Sequence, residues 1–250
     1  MRLDSIVMHQ DPITALVNKL FGGLATQILQ AVHVQPVHPW FPITETFAME
    51  ILVFTFLLIA FLLVRISLNV ENPGPIQQMA EMVHGFVSDQ ADSIIGHGAE
   101  QFVMFTTVVL LFVLSCNLLG MVPGLLAPTS KATVPLGVAL VCWFYYHYYG
   151  LRELGPVGYS KQFLGPVWWI APMMVPIEII SHLARLLSLT VRLFANMFAG
   201  EMVTLVFFSL IPIGIPLIFM ALHLGVAVIQ AYIFMLLTLI YVSQAVAHEH

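Results

Sequence analysis

Hydrophobic and polar positions divide this chain into long apolar runs parted by short polar breaks. Ile51 to Val64 carries no charge, and with its flanks (44–67) it reaches the ~20 residues a helix needs to cross a bilayer. Arg65 closes it as an interfacial anchor. Gln101 to Ser130 contains no Asp, Glu, Lys or Arg and predicts a second span over 101–123, ended by Pro123-Gly124 and Pro128. Residues 132–151 predict a third, with tyrosines crowded at the far end as suits a membrane interface. Residues 152–171 read as a loop carrying Arg152, Lys161, Gly-Pro breaks and Trp168-Trp169. Two longer runs follow, 172–211 and 216–247, parted by Pro212, Gly214 and Pro216. At 1.5 Å per residue each would reach roughly 45–55 Å against ~30 Å of hydrocarbon, so both are predicted to tilt strongly or to run past the bilayer.

Residues 75–97 differ in pattern. Ile76, Met79, Met82/Val83, Phe86/Val87 and Ile94 recur at helical spacing among Gln, Glu, Asp and His, which predicts an amphipathic surface helix. Ile13 to Leu29 predicts a short interfacial helix, with Pro36, Pro39 and Pro42 as breakers after it. The first forty residues include Asp4, Asp11 and Lys19 and no long apolar core, so no cleavable signal peptide is expected. The fold class is therefore an all-α membrane protein. It has about five transmembrane helices plus one amphipathic surface helix, and its two long, strongly tilted C-terminal helices form a hairpin. Residues 1–43 form an N-terminal outer-side segment and 44–250 the membrane domain. Arg65, Arg152 and Lys161 fall on one side of the membrane, against Lys131 in the opposite short loop, which puts the N-terminus outside and the C-terminus in the cytoplasm.

Composition agrees with that pattern. Of the 250 residues 60% are apolar and 8% charged, against about 25% charged in a soluble domain. The net charge of −5 arises from few groups and argues against a nucleic-acid partner. Cys116 and Cys142 lack CxxC spacing and read as small buried hydrophobes. There is no GxxxxGK[ST] phosphate loop, so no nucleotide chemistry and no catalytic residue is expected in this chain. No cofactor and no metal site is expected either. His84 and His97 are thirteen apart but sit in the acidic amphipathic segment, with no second such pair on another span to hold a haem.

The informative residues are the polar groups that a membrane should forbid. The first long C-terminal run holds Glu178, His182, Arg185, Arg192, Asn196 and Glu201. A charge at mid-bilayer costs a few kcal/mol or more (about 3), so each is a candidate for function. Glu178, Arg185 and Arg192 are seven apart and Asn196 four further on, which puts them on one face. Glu201 is nine residues beyond Arg192, about 900° of rotation, and points to the opposite side. Ala195, Ala199 and Gly200 beside Arg192 would let another helix approach closely. The last run is free of Asp, Glu, Lys and Arg from Ile211 to His248, but carries a polar stripe including His223, Gln230, Tyr241 and Gln244. An antiparallel hairpin turning near Pro212 puts Glu201 level with His223, Arg192 with Gln230 and Glu178 with Gln244, on levels separated by about 13 Å and 21 Å. Glu and His can relay a proton, whereas Arg stays charged and cannot. Two titratable levels flanking a permanent cation describe two half-paths with a barrier between them. Arg185 either snorkels to the interface or pairs with Glu178; His182 is either a satisfied polar group or a relay; Asn196 either joins two helices or serves the path.

The run Ser188-Leu-Thr-Val-Arg-Leu-Phe-Ala-Asn-Met-Phe-Ala-Gly-Glu201 resembles the S-L-x-x-R-L-F-x-N-x-x-A-G-E signature of the ATP synthase subunit a family. Pro176-Ile-Glu178, Ile229-Gln-Ala-Tyr-Ile-Phe234 and Tyr241-Val extend the likeness over roughly 40–250. The resemblance implies a bacterial inner-membrane, multi-pass subunit of a rotary F-type ATP synthase, with a ring of c subunits, a b-subunit peripheral stalk, the rest of the complex and the lipid bilayer as partners. It implies that Arg192 faces the c ring, that Glu201 and His223 form the inlet pair, and that Asn196 and Gln230 are polar partners near the arginine. Glu178 would be an outlet acid, with Ser188, His182, Arg185, Tyr241 and Gln244 as accessory positions. Gly120 stands where some relatives have an acid, and Lys131 and Pro135 depart from the usual loop. The alternative, a proton-coupled secondary transporter, calls for repeated halves and broken mid-membrane helices, and neither is evident.

Overall fold

The structure is a computed structural model describing residues 12–31, 42–69, 71–96, 98–122, 125–164, 169, 171–210 and 214–246. The breaks expected at Pro36, Pro39, Pro123-Gly124 and Pro212, together with Trp168 and His97, lie outside the described residues. Seven α-helices follow in chain order: α1 (Pro12–Ala31), α2 (Glu45–Ser67), α3 (Pro75–Ile95), α4 (Glu100–Leu119), α5 (Thr133–Leu164), α6 (Ala171–Leu210) and α7 (Ile215–Val246). A 3-10 turn, Pro128–Ser130, sits between α4 and α5.

Local chemistry explains several boundaries. Thr44 caps α2, its hydroxyl oxygen accepting from the Phe47 amide at 3.4 Å, and Arg65 lies in the last turn where a cation meets the negative end of the helix dipole. Pro75 opens α3 at a position where its missing N–H costs nothing, and Gly96, at φ 80°, closes it. Residues 152–164, read above as loop, are helical instead. Gly155 (φ 69°, ψ 167°) breaks α5, and Pro156 then opens a further short helix, where Ser160 Oγ donates to the Pro156 carbonyl at 2.7 Å.

Among the described residues, four helices are long and apolar enough to cross a membrane: α2, α4, α6 and the part of α7 from Pro216. The expected span at 132–151, in the first part of α5, falls short of that apolarity because Tyr145-Tyr-His-Tyr-Tyr149 interrupts it. It nevertheless packs along both α6 and α7. The tyrosines are used in packing: Tyr145 stacks on Phe105 of α4 with centroids 3.6 Å apart, and Tyr149 meets Phe102 edge-on at 4.9 Å.

The core lies where α3, α4, α5 and α6 converge on α7, around Val113, Leu193, Met197, Ala227, Ala231 and Phe234. Ala227 and Ala231, one turn apart, are small enough to let the neighbouring helices close on α7. The helix at α3 is amphipathic, but its apolar residues divide between two flanks. Val87 and Ala91 are packed against the bundle, whereas Ile76, Met79, Met82 and Phe86 remain exposed. Tyr232 Oη donates to Gln90 Oε1 at 3.1 Å and Ser243 Oγ to the Ile94 carbonyl at 3.2 Å, so the second half of α3 docks along α7. At 40 residues α6 is about 60 Å long, and only 11% of its most apolar stretch is buried within the chain. Most of its surface is left for lipid or another protein.

Candidate functional site

The α6–α7 pair is an antiparallel hairpin by its side-chain contacts. Asn196 Nδ2 donates to Gln230 Oε1 at 3.0 Å, Phe207 stacks on Phe219 at 4.2 Å, and Glu178 shares a cavity with Gln244 and Ala245. Glu201 and His223 share a cavity, as do Glu178 and Gln244, and Gln230 bonds one turn from the level expected for it. One difference matters: the partner of Gln230 is Asn196, with Arg192 one turn further along α6. Gln230 is 3% exposed, so its amide needs a partner within the chain; Asn196, itself exposed, supplies it across the hairpin, while Arg192 turns to Ser188 on its own helix.

Arg192 Nη2 reaches Ser188 Oγ at 3.4 Å, one turn back on α6. Among the described residues no carboxylate lies within ion-pair distance of Arg192. Exposed Val191, Ala195, Ala199 and Met202 flank it on the same helix. The result is a permanent cation on an open apolar face with little bulk around it.

Glu201 and His223 line one cavity of about 260 Å³, with Gly120, Met121, Thr204 and Met220 among its other walls. A second cavity of about 270 Å³, bounded by Asn196, Ala199, Gly200 and Phe219, shares His223 as a wall. His223 is 8% exposed, and its Nε2 is buried without a hydrogen-bond partner among the described residues. It stands between the cavity that holds Glu201 and the one that leads to Asn196.

The approach of His223 to α6 corrects one expectation. Gly200 was expected to admit a neighbouring helix beside Arg192; instead it admits the imidazole, since a Cβ there would overlap His223 Nδ1. Gly200→Ala is therefore expected to push the ring out of its slot. The imidazole NMR signals of His223 check it, and unchanged signals would mean that Gly200 does not set the ring's place.

The wall of the first cavity is backed by a buried polar knot. Asn117, 0% exposed, donates through Nδ2 to the Ala227 carbonyl at 3.1 Å and accepts from Thr129 Oγ1 at 2.7 Å. It joins α4, the 3-10 turn and α7 one turn from His223. Gly120 is small for a local reason: a Cβ there would overlap that of Ala127, where the chain folds back. An acid at this position has no room in this chain.

At the far end of the hairpin a polar cavity of about 160 Å³ is lined by Tyr146, Tyr159, Glu178, His182, Arg185, Gln244 and Ala245. Glu178 Oε1 lies 3.6 Å from His182 Nε2 and 3.9 Å from Arg185 Nη2. The Arg185 guanidinium sits 5.5 Å from the Tyr241 ring centroid. Of the two readings of Arg185, pairing with Glu178 is the one the geometry adopts. Tyr146 and Tyr159 come from α5 and were not singled out from the sequence; the tyrosine-rich run was read only as an interfacial feature. Glu50, a partly buried acid inside α2, was also passed over, although any acid inside an apolar run is a signal. No group of three or more His, Cys, Asp or Glu able to hold a metal occurs among the described residues.

Similarity to known proteins is extensive. The family model described as ATP synthase A chain matches residues 46–243. The chain is 51% identical to ATP synthase subunit a of Koribacter versatilis over 97% of its own length and 99% of the relative's. It is 43% identical to ATP synthase subunit a of Solibacter usitatus over 93% and 99% of the two chains, and 44% identical to that of Nitratidesulfovibrio vulgaris over 76% and 80%. A signature around Arg192, a long open helix that carries it and a match over nearly the whole length agree, and the chain belongs to the ATP synthase subunit a family.

Proposed function

We propose that this chain is the stationary proton-conducting subunit of a rotary ATP synthase, offering two offset half-paths to a ring of c subunits that turns against the open face of α6. The observation that carries this reading is the position of His223 between two cavities, with Glu201 in one and Asn196 in the other, while Arg192 on the adjoining face has no carboxylate partner among the described residues. A proton enters from the outer side at Glu201 and passes by His223 toward Asn196. It neutralises a carboxylate on a passing c subunit, which can then face lipid. After nearly a full turn that carboxyl reaches Arg192, which stabilises the ionised form, and its proton leaves by way of Glu178 toward the cytoplasm. Arg192 also separates the half-paths, because a guanidinium does not give up its proton. Ser188 and Gln230 hold the polar groups around it, and His182, Arg185, Tyr241 and Gln244 line the exit. The b-subunit stalk anchors the chain against rotation, in a bacterial inner membrane with the N-terminus outside and the C-terminus in the cytoplasm.

Membrane vesicles from cells lacking this chain are expected to hydrolyse ATP without acidifying, and to regain acidification when the chain is restored. Persistent ATP-driven acidification without it would overturn the reading. Topology has its own test. Reporter fusions after Arg65, at Lys131, after Arg152 and at the C-terminus should report cytoplasm, outside, cytoplasm and cytoplasm. An external C-terminus would exchange inlet and outlet.

A further inference from the structure

The exit cavity contains a side-chain arrangement that the proposed path does not itself require. His182 is buried at the α5–α6 seam, its Nδ1 3.0 Å from the Tyr146 hydroxyl and its Nε2 3.6 Å from Glu178 Oε1. At 3.6 Å the two groups are neighbours rather than hydrogen-bonded, and a carboxylate beside Nε2 favours the tautomer with its N–H there. Nδ1 is then the accepting nitrogen, and the Tyr146 O–H donates to it. The Tyr146 and His182 rings lie nearly parallel, 20° apart with centroids at 5.8 Å, and Tyr146 is 2% exposed, so the tyrosine has little freedom to turn away. On the other flank His147 packs 4.8 Å from the His182 ring. Its own Nδ1 lies 2.8 Å from the Trp143 carbonyl, an acceptor, so it donates there and is held in a single tautomer.

We propose that Tyr146 is a positioning residue for proton release: by donating to Nδ1 it holds His182 in the tautomer whose Nε2–H faces Glu178, so that the exit acid has a donor beside it. The inference rests on the reading of Glu178 as the exit acid. Among the described residues, the titratable and charged groups around His182 include Glu178 and Arg185 on α6, Tyr146, His147 and Tyr159 on α5, and Tyr241 on α7. Arg185 is itself within 3.9 Å of Glu178, so the carboxylate keeps one cation whatever the imidazole does. What Tyr146 controls is whether the second neighbour offers a donor or a lone pair. With a lone pair facing it instead, the carboxylate loses a neighbouring donor that favours its charged form, so less of it is free to accept at a given pH.

The test uses the whole complex in sealed vesicles, with ATP synthesis followed against the pH of the cytoplasmic face. Tyr146→Phe keeps the ring and its packing but frees the tautomer. The acid limb of the profile is expected to move about one pH unit upward, with the plateau rate changed less than about twofold. His182→Leu should move the limb in the same direction. His182→Gln, whose amide N–H can still face Glu178, should return it toward the wild-type position. A Tyr146→Phe profile that overlays wild type overturns the proposal. So does a loss of plateau rate in His182→Leu and His182→Gln alike with no movement of the limb, which is what a purely structural role would give. Glu178→Gln in the same vesicles is the separate control: undiminished synthesis there would remove the exit acid and with it this role for Tyr146.

Discussion

Replacing Arg192 by alanine is expected to leave the complex assembled, to reduce proton-coupled ATP synthesis at least about 100-fold, and to open a passive proton leak. Assembly should persist because Arg192 contributes little to packing. It lies on the open face of α6, with Ser188 Oγ as its hydrogen-bond partner, while the core side of the same turn is filled by Leu193 and Met197. Synthesis should stop because the variant has no fixed cation to favour the ionised form of the rotor carboxyl. The leak should appear because nothing then keeps the Asn196 side of the inlet apart from the exit cavity. Vesicles would be compared for ATP-driven acidification and for dissipation of an imposed gradient. Near wild-type pumping in Arg192→Ala would remove the arginine from the mechanism. The hairpin geometry adds a second arm. Gln230 projects from α7 to the level of Asn196, one turn from Arg192, so a guanidinium placed there reaches the same region. Arg192→Gln combined with Gln230→Arg is expected to recover part of the activity that Arg192→Gln alone loses. Failure of that rescue alone would question the pairing of levels and leave the role of Arg192 standing.

Glu201→Gln is expected to have the next largest effect, slowing synthesis and ATP-driven pumping by about 100-fold without a leak. Glutamine matches the volume of the acid, so the 260 Å³ cavity keeps its shape and the hairpin its packing. What disappears is the ability to take up and release a proton beside His223. Because both residues wall the same cavity, their losses should not add. Glu201→Gln with His223→Ala should be little slower than the worse single variant. Full additivity would mean that the two serve independent routes, and normal synthesis in Glu201→Gln across a range of pH would take the acid out of the path.

The hydrophobic pattern alone was sufficient for the class of the molecule and for the elements that carry the site. A membrane requires backbone hydrogen bonds to be closed within each spanning segment, so long apolar runs can only be helices, and a charge within one is too costly to be incidental. That is why Arg192, Glu201 and His223 were visible as candidates, and why simple rise per residue brought Glu201 level with His223. The same one-dimensional reasoning misjudged whatever depends on which neighbour comes close. Gly200 reads as a small residue for a helix to approach, yet it is the imidazole of His223 that occupies the space. Gln230 reads as level with Arg192, yet it bonds to Asn196, because a buried amide needs a partner within the chain and the guanidinium is turned to Ser188 on its own helix. Residues 152–164 read as loop from their glycines and prolines, yet Gly155 breaks the helix once and Pro156 starts it again. Asn117, Thr129 and Tyr146 were illegible as parts of the site for a common reason. Each acts on a residue far away in the chain, Asn117 on Ala227 and Tyr146 on His182, and no periodicity within one helix encodes the contact between two. Depth in the membrane follows from position along a helix; the direction in which a side chain meets its partner follows only from how the helices pack.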